Sequence, residues 1–332
     1  MTEPIERRAL AGTRLDTSVL GVSLAFGPRP FPDEDRAART ALGKFFAEGF
    51  TTFDLTSAPS LARASRLLLS TVTERDDRVV FLVGVPGRAS AAWTEAGARL
   101  PSRTSPTRRG EFPGPPMEIL RALSARGSVV IDWDPDNGTP EDVDSTTRWL
   151  DELEAESLIV GRAHHIPPQR LPLIQSAPAT LGPLISSELS LLDPLAVESL
   201  STLFSHRPGS VLVHDPFAGG LLDGSRFSRG LGDRAQPAPP TDVRALRREY
   251  EPVLRLEPLT RNRRRTLAQA ALYYLLRWKW TAAVMIPLAA ANRREEFRTA
   301  LFLDRECDSD LESLGLIPRS DASGPSSSLP SG

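Results

Sequence analysis

Cysteine, lysine, tyrosine and histidine are all scarce in this chain of 332 residues. The single cysteine, Cys307, cannot form a disulfide within the chain or a thiolate metal cluster, which indicates a cytoplasmic protein. Only Lys44 and Lys279 supply amines among the 40 basic residues, and no tyrosine precedes Tyr250. Few residues of this chain can therefore supply a lysine amine or a tyrosine hydroxyl for catalysis.

The chain also lacks a strong charge imbalance and long apolar runs. Its formal net charge is −2 and its pI is about 6.2, so no basic surface for nucleic acid is indicated. No apolar run approaches the roughly 20 residues of a membrane span. The first 14 residues are charged and have no apolar centre, so we expect no signal peptide. We therefore predict no nucleic-acid partner and no membrane insertion.

Apolar residues make up 40% of the chain and concentrate in eight short runs that alternate with helical patterns. The predicted strands are 18–22, 51–54, 79–83, 128–131, 158–160, 183–185, 210–213 and 282–286. The predicted helices are 33–48, 60–73, 117–125, 140–154, 168–175, 194–205, 242–254, 266–278 and 293–302. Eight such units favour a closed (β/α)₈ TIM barrel over an open doubly wound sheet. No glycine-rich nucleotide fingerprint follows the first strand, which weakens the open-sheet alternative.

Composition divides the chain into one large domain and a short tail. Residues 1–317 contain all the strand and helix patterns, which predicts a single barrel domain. Residues 318–332 are dominated by serine, glycine and proline, so we expect a disordered C-terminal tail.

Several short motifs occur in a fixed order along the chain. They are Arg8–Thr13 with Val19–Gly21, Gly49–Asp54, Trp133–Asp136 with Thr139–Pro140, Asp215–Leu222, and Ala268–Leu272 with Ile286–Pro287. In order and spacing this set resembles the aldo-keto reductases over about residues 7–303. The resemblance implies a (β/α)₈ barrel that moves hydride between a carbonyl group and the nicotinamide of NADP(H).

The same resemblance implies four catalytic side chains, of which one is retained. The aspartate position falls on Asp54. The tyrosine, lysine and histidine positions fall on Pro59 or Ala58, on Val85 or Gly84, and on Trp133 or, with a register slip of one, Asp132. A carbonyl oxygen that gains charge must meet a proton donor and fixed dipoles, and proline supplies no proton. We therefore do not expect conventional carbonyl reduction.

The cofactor positions implied by the resemblance are also altered. The carboxamide-binding positions fall on Ala163, His164 and Ser186, and the position of the ring-stacking aromatic falls on His214. Arginines at the start of the last helix could meet a 2′-phosphate there: Arg294 and Arg298, with Arg293 beside them. NADP(H) is thus a candidate cofactor with most of its expected binding groups replaced.

Three of the singled-out groups have more than one interpretation. Asp54 either caps the following helix or keeps an acid–base role with a raised pKa. Trp133 either stacks on a planar ligand or fills the space of the missing histidine. His164, His165 and His214 could join nearby aspartates around a metal ion. Adjacent histidines usually point in different directions, and we assign no metal.

Two functions of different classes follow. The first is a pseudoenzyme or accessory subunit, which binds a protein partner or a small molecule at the barrel mouth. The second is a divergent NADP(H) oxidoreductase or a repurposed barrel enzyme acting on a small carbonyl-containing metabolite. Bacterial specialised metabolism is the expected setting. The combined loss of acid groups and cofactor-holding groups favours the first.

Overall fold

A computed structural model describes residues 4–24, 32–58, 60–85, 115–135, 140–176, 181–225, 243–261, 265–303 and 305–318. Pro59 and residues 319–332 lie outside the described residues, so the predictions that fall on them stay predictions.

Eight parallel strands close into a barrel, which confirms the predicted (β/α)₈ fold. They are β3 (Leu20–Ser23), β4 (Thr52–Asp54), β5 (Val80–Gly84), β6 (Ser128–Trp133), β7 (Gly161–His165), β8 (Leu184–Glu188), β9 (Ser210–His214) and β10 (Thr281–Pro287). Each strand pairs with its neighbours in chain order, and β10 pairs with β3 to close the ring.

A short antiparallel hairpin precedes the barrel. Its strands are β1 (Arg7–Ala9) and β2 (Asp16–Ser18). Leu10, at the hairpin turn, is fully buried and packs with the apolar side chains inside the barrel. Ala11 N–H donates to Ser210 Oγ at 2.9 Å, at the start of β9. The hairpin therefore covers the N-terminal end of the barrel, opposite the end where barrel enzymes carry their sites.

Helices cover the outside of the barrel. The α-helices are α1 (Pro32–Ala47), α2 (Leu61–Leu69), α3 (Met117–Ser124), α4 (Pro140–Ala155), α5 (Pro194–His206), α6 (Val243–Leu254), α7 (Leu267–Leu276), α8 (Arg294–Thr299) and α9 (Arg305–Ser313). Within the described ranges, four 3₁₀ segments, Pro168–Ser176, Glu257–Thr260, Leu288–Arg293 and Ala300–Phe302, connect these elements. None of the described helices has both the length and the apolarity that a membrane span requires.

Strand residues alternate between the barrel interior and the layer beneath the helices, as the period of two requires. The interior holds one apolar cluster, the apolar layer, formed chiefly by Val80, Leu82, Val130, Ala163, Leu184 and Leu212. Intervening residues such as Phe81 and Ile131 pack outward in the larger cluster under the helices. The direction of every side chain near the strand ends follows from this alternation.

Three elements differ from the sequence prediction. The predicted strand at 158–160 is wrong, because β7 begins only at Gly161. Ile159 is buried in the outer cluster, where an apolar residue suits a connection as well as a strand. A Cβ at Gly161 would lie 2.7 Å from Thr13 Cγ2 of the hairpin, so any other residue there would have to displace the Thr13 side chain. The predicted helix at 168–175 is a 3₁₀ segment, and α9 was not predicted.

Candidate functional site

Polar side chains occupy the interior positions at the C-terminal ends of the barrel strands. We call this set the polar ring: Asp54, Asp132, His165, Ser186, Glu188 and His214. Four of its members lie two residues beyond an apolar-layer residue on the same strand, and so point inward as that residue does. The polar ring therefore lies at the end of the barrel where chemistry is usually placed.

Asp54 and His214 form a buried pair. Both residues are at most 3% exposed, and His214 Nδ1 lies 3.1 Å from Asp54 Oδ2. Asp54 Oδ1 accepts hydrogen bonds from Thr56 N at 2.7 Å and from Thr56 Oγ1 at 2.6 Å. Burial opposes ionisation of Asp54, but His214 and the Thr56 hydrogen bonds outweigh it and lower the pKa below 3.8.

These contacts correct both interpretations of Asp54. The N-cap of α2 is Ser60, whose hydroxyl accepts from Arg63 N, so Asp54 does not cap that helix. Asp54 instead orders the turn that follows β4 through Thr56. Its pKa is lowered, where the sequence suggested a raised value for an unpaired acid.

The polar ring continues from His214 to the rim of the barrel. His214 Nε2 lies 3.8 Å from Asp132 Oδ2, and Ser186 Oγ donates to Asp132 Oδ1 at 2.5 Å. Ser186 Oγ lies 3.2 Å from His165 Nδ1, and His165 Nε2 lies 3.4 Å from Glu188 Oε2. The Glu188 side chain is 39% exposed, so the chain of contacts runs from solvent to the fully buried Asp54.

Other predicted site residues point away from the polar ring. Trp133 and His164 follow inward residues on β6 and β7 and face the outer layer, with ring centroids 5.5 Å apart in an edge-on arrangement. Val85 packs in the same outer cluster. Of the predicted groups, the structure thus brings together Asp54, Ser186 and His214, together with Asp132, which was the alternative to Trp133.

The arginines predicted to meet a phosphate contact a glutamate. Arg294 Nε donates to Glu48 Oε1, and Arg298 Nη1 lies 3.8 Å from Glu48 Oε2. Arg298 is only 5% exposed. A cavity of about 480 Å³ borders Arg294 between α1 and the segment after β10, and Arg36, Lys44 and Asn292 also line it. Glu48 therefore neutralises part of the charge that a phosphate would require.

The turn after β9 is held by its own carboxylate. Ala218, Gly219 and Gly220 have positive φ values of 50°, 65° and 90°, and Asp215 has 46°. Both Asp215 carboxylate oxygens accept from Gly219 N–H, at 2.9 and 2.8 Å. Although part of Asp215 reaches solvent, burial of its carboxyl group raises its pKa to about 6. The negative charges of Glu188, Asp193 and Asp223 add to the rise in the Asp215 pKa, while the Gly219 hydrogen bond opposes it.

The three histidines near the strand ends do not converge on a metal site. His164 faces outward, whereas His165 and His214 face the interior. Across the described part of the chain, no group of three or more histidine, cysteine, aspartate or glutamate side chains is arranged to hold a metal ion.

Sequence reasoning missed Glu188 and Thr56, and it placed His165 only in a metal hypothesis. Alternation along the strand is the signal that could have found Glu188, because Leu184, Ser186 and Glu188 share one face of β8. The same rule on β6 selects Asp132 over Trp133. On β6 the outward positions hold Val129, Ile131 and Trp133, so the inward Asp132 differs clearly from them.

Comparison with known proteins supports the fold. No protein-family model matches the chain, and no curated protein sequence does either. Among solved structures, the holo form of aldo-keto reductase AKR11C1 from Bacillus halodurans superposes with a TM-score of 0.62 at 19% identity. The match covers 93% of this chain and 96% of that one, and the apo form gives a TM-score of 0.58. This protein therefore has the barrel fold of the aldo-keto reductases, as its sequence motifs predicted.

Proposed function

We propose that this protein is a non-reducing barrel of the aldo-keto reductase fold, an accessory or regulatory protein that acts in the cytoplasm. It binds a protein partner or a small molecule at the barrel mouth and does not transfer hydride. The Asp54–His214 pair carries this proposal. It joins the one retained catalytic position to the position expected to stack on the nicotinamide, at 3.1 Å.

Two requirements of hydride transfer conflict with this pair. A carbonyl oxygen that becomes an alkoxide needs a proton donor beside it, and Asp54 is an acceptor for Thr56 and His214. A stacking ring must present its face to the nicotinamide, whereas the His214 ring is 3% exposed and lies inside the barrel. Both groups are therefore engaged with each other.

Charge near the mouth also disfavours a dinucleotide phosphate. Asp215 already accepts from the Gly219 amide in a turn whose positive φ values would suit an anion. Glu188, Asp193 and Asp223 lie close enough to Asp215 to raise its pKa, so a phosphate here would meet several carboxylates. Glu48 also engages Arg294 and Arg298, in the helix that follows β10.

Titration with NADPH, followed by its fluorescence, tests the proposal. We expect no saturable binding in the micromolar range. The matched variant is Glu48→Gln, which removes the negative charge beside Arg294 and Arg298 and should raise the affinity. Saturable micromolar binding by the unmodified protein would contradict the proposal and restore hydride transfer as the working function.

The second candidate is a divergent NADP(H) oxidoreductase or a repurposed barrel enzyme that acts on a small carbonyl-containing metabolite. The observation that favours it is the His165–Glu188 pair, which brings ionisable groups to the rim of the barrel at 3.4 Å. A variant carrying Pro59→Tyr, Gly84→Lys and Asp132→His restores the three missing groups and tests reduction. Gly84 and Asp132 are chosen because they point into the barrel, whereas their neighbours Val85 and Trp133 point outward. Reduction of a simple aldehyde by this variant, together with NADPH binding, would support the second candidate.

A further inference from the structure

The cavity between α1 and the segment after β10 lies in the helical layer, apart from the polar ring. Its volume is about 480 Å³. Small-molecule sites in proteins have volumes of about 300–1,000 Å³, so the cavity is large enough for a small ligand. Helix α1 turns Ala38, Leu42 and Phe45 toward the core. The α1 residues that line the cavity therefore lie on a different side of the helix, outside the barrel strands.

The lining of the cavity is basic. Arg36 and Lys44 contribute from α1, and Arg294 contributes from the start of α8. Arg294 donates to Glu48, which offsets its charge. In the part of the chain that the structure describes, the exposed side chains of Arg36 and Lys44 form no ion pair, and no carboxylate lines the cavity. Two positive charges thus remain for a ligand, which favours a ligand with two negative charges.

The spacing of these two charges indicates the shape of the ligand. Arg36 and Lys44 are eight residues apart on one helix, which separates them by about 12 Å along its axis. Side chains on a helix lean in the same direction, so the charged groups keep this separation. Between them, Ala37 and Ala41 line the cavity on α1, and Ala291 lines it on the other side. An elongated molecule with an apolar middle fits this arrangement better than a single compact anion.

We propose that this cavity binds a small aliphatic molecule with a carboxylate at each end, a medium-chain dicarboxylate. One carboxylate pairs with Arg36 and the other with Lys44, while the methylene chain lies along the alanines. Guanidinium and ammonium groups both form charge-assisted hydrogen bonds with carboxylates. The Asn292 amide, which also lines the cavity, offers a further hydrogen bond. The inference goes beyond the proposed function, because the site lies outside the barrel mouth and requires no NADP(H).

Calorimetric titration tests the proposed ligand, with suberate, an eight-carbon dicarboxylate, as the probe. We expect saturable binding in the millimolar range. Octanoate has the same chain length and one carboxylate, and succinate is too short to reach both charges. Each should bind at least about 3-fold more weakly than suberate, because one ion pair is lost. No saturable binding of suberate, or equal affinity for suberate and either comparison compound, would overturn the proposal.

Substitutions locate the binding site. Arg36→Gln and Lys44→Gln each remove the charge of an exposed side chain and should weaken suberate binding by about 3-fold. Ala41→Leu fills the cavity without a change in charge and should also weaken binding. Lys279→Gln and Arg39→Gln are the controls, since both side chains are exposed and neither lines the cavity. An equal loss of affinity in these controls would overturn the site. The titrations contain no NADPH, so their failure leaves the proposed function unaffected.

Discussion

The apolar layer and the polar ring are neighbours inside the same barrel, yet they have opposite compositions. On β6, β7 and β9 the two differ by two residues: Val130 precedes Asp132, Ala163 precedes His165, and Leu212 precedes His214. In each pair the two side chains point in the same direction and are buried to nearly the same extent. The difference in side chain therefore reflects what each region does, since the fold alone would accept apolar residues at both.

The energetic consequences of the two regions also differ. Burial of an apolar side chain stabilises the barrel by about 1.5–3 kcal/mol, whatever the pH. A buried ion pair contributes little net stability, because the cost of removing both charges from water offsets their attraction. The polar ring is therefore not required for a stable barrel, and we interpret it as a functional feature. The following substitutions test this contrast, from the largest expected effect to the smallest.

Replacement of His214 by alanine should have the largest effect. It leaves the Asp54 and Asp132 carboxylates buried without the imidazole that lies 3.1 and 3.8 Å from them. We expect a loss of about 3–5 kcal/mol in the free energy of unfolding at pH 7, measured by urea denaturation. The double variant Asp54→Asn/His214→Ala should lose less than the single one, and a loss at least as large would argue against a charge effect.

Replacement of Leu212 by alanine tests the apolar layer. Leu212 is 1% exposed, and its truncation leaves a cavity between well-packed strands. We expect a loss of about 3 kcal/mol that is the same at pH 5 and pH 8. Leu195→Ala is the control, because Leu195 is 70% exposed and should change stability by no more than about 0.5 kcal/mol. A strong pH dependence of the Leu212→Ala effect would contradict the proposed difference between the apolar layer and the polar ring.

Replacement of Ser186 by alanine should have a moderate effect. The hydroxyl bridges Asp132 and His165, and its removal leaves two buried polar groups with one partner fewer. We expect a loss of about 1–2 kcal/mol, measured by the same denaturation at pH 7. Ser199→Ala on α5 is the control, since that hydroxyl donates to the carbonyl of Leu195 within its own helix. A Ser186→Ala effect below that of Ser199→Ala would show that the bridge does not matter.

Replacement of Asp54 by asparagine should change the response to acid. The folded protein holds the pKa of Asp54 below 3.8, so its ionisation stabilises the fold above that pH. This contribution is lost as the pH falls through the lowered pKa of the folded state. Denaturation midpoints between pH 2 and 7 should therefore fall less steeply below pH 4 in Asp54→Asn than in the unmodified protein. Parallel curves would mean that Asp54 is not a stabilising ionised group.

The fold was predictable because its signals are local. Runs such as Val79–Val83 and Ser210–Val213 are apolar on both faces, which is typical of buried parallel strands. Strand β7 was missed for the opposite reason. Its inward residues Ala163 and His165 alternate with Arg162 and His164, so no apolar run marks it. The strand was instead predicted at residues 158–160, which are apolar and lie just before β7.

The candidate site was only partly predictable. Motif likeness located Asp54, Ser186 and His214, but the pairing of Asp54 with His214 joins residues 160 positions apart. A motif match aligns positions and carries no information on side-chain direction. Trp133 was therefore preferred over Asp132, although alternation along β6 turns Trp133 outward.

The sequence alone predicted the (β/α)₈ barrel, because strand patterns are properties of the chain itself, and its resemblance to the aldo-keto reductases implies that three of the four catalytic positions are replaced. Only the tertiary structure decided what the remaining polar residues do. Closure of the barrel places the ends of β4, β6, β7, β8 and β9 around one interior, where Asp54 meets His214 and His165 meets Glu188. Those contacts depend on strand pairing and side-chain direction, which arise only when distant segments pack together.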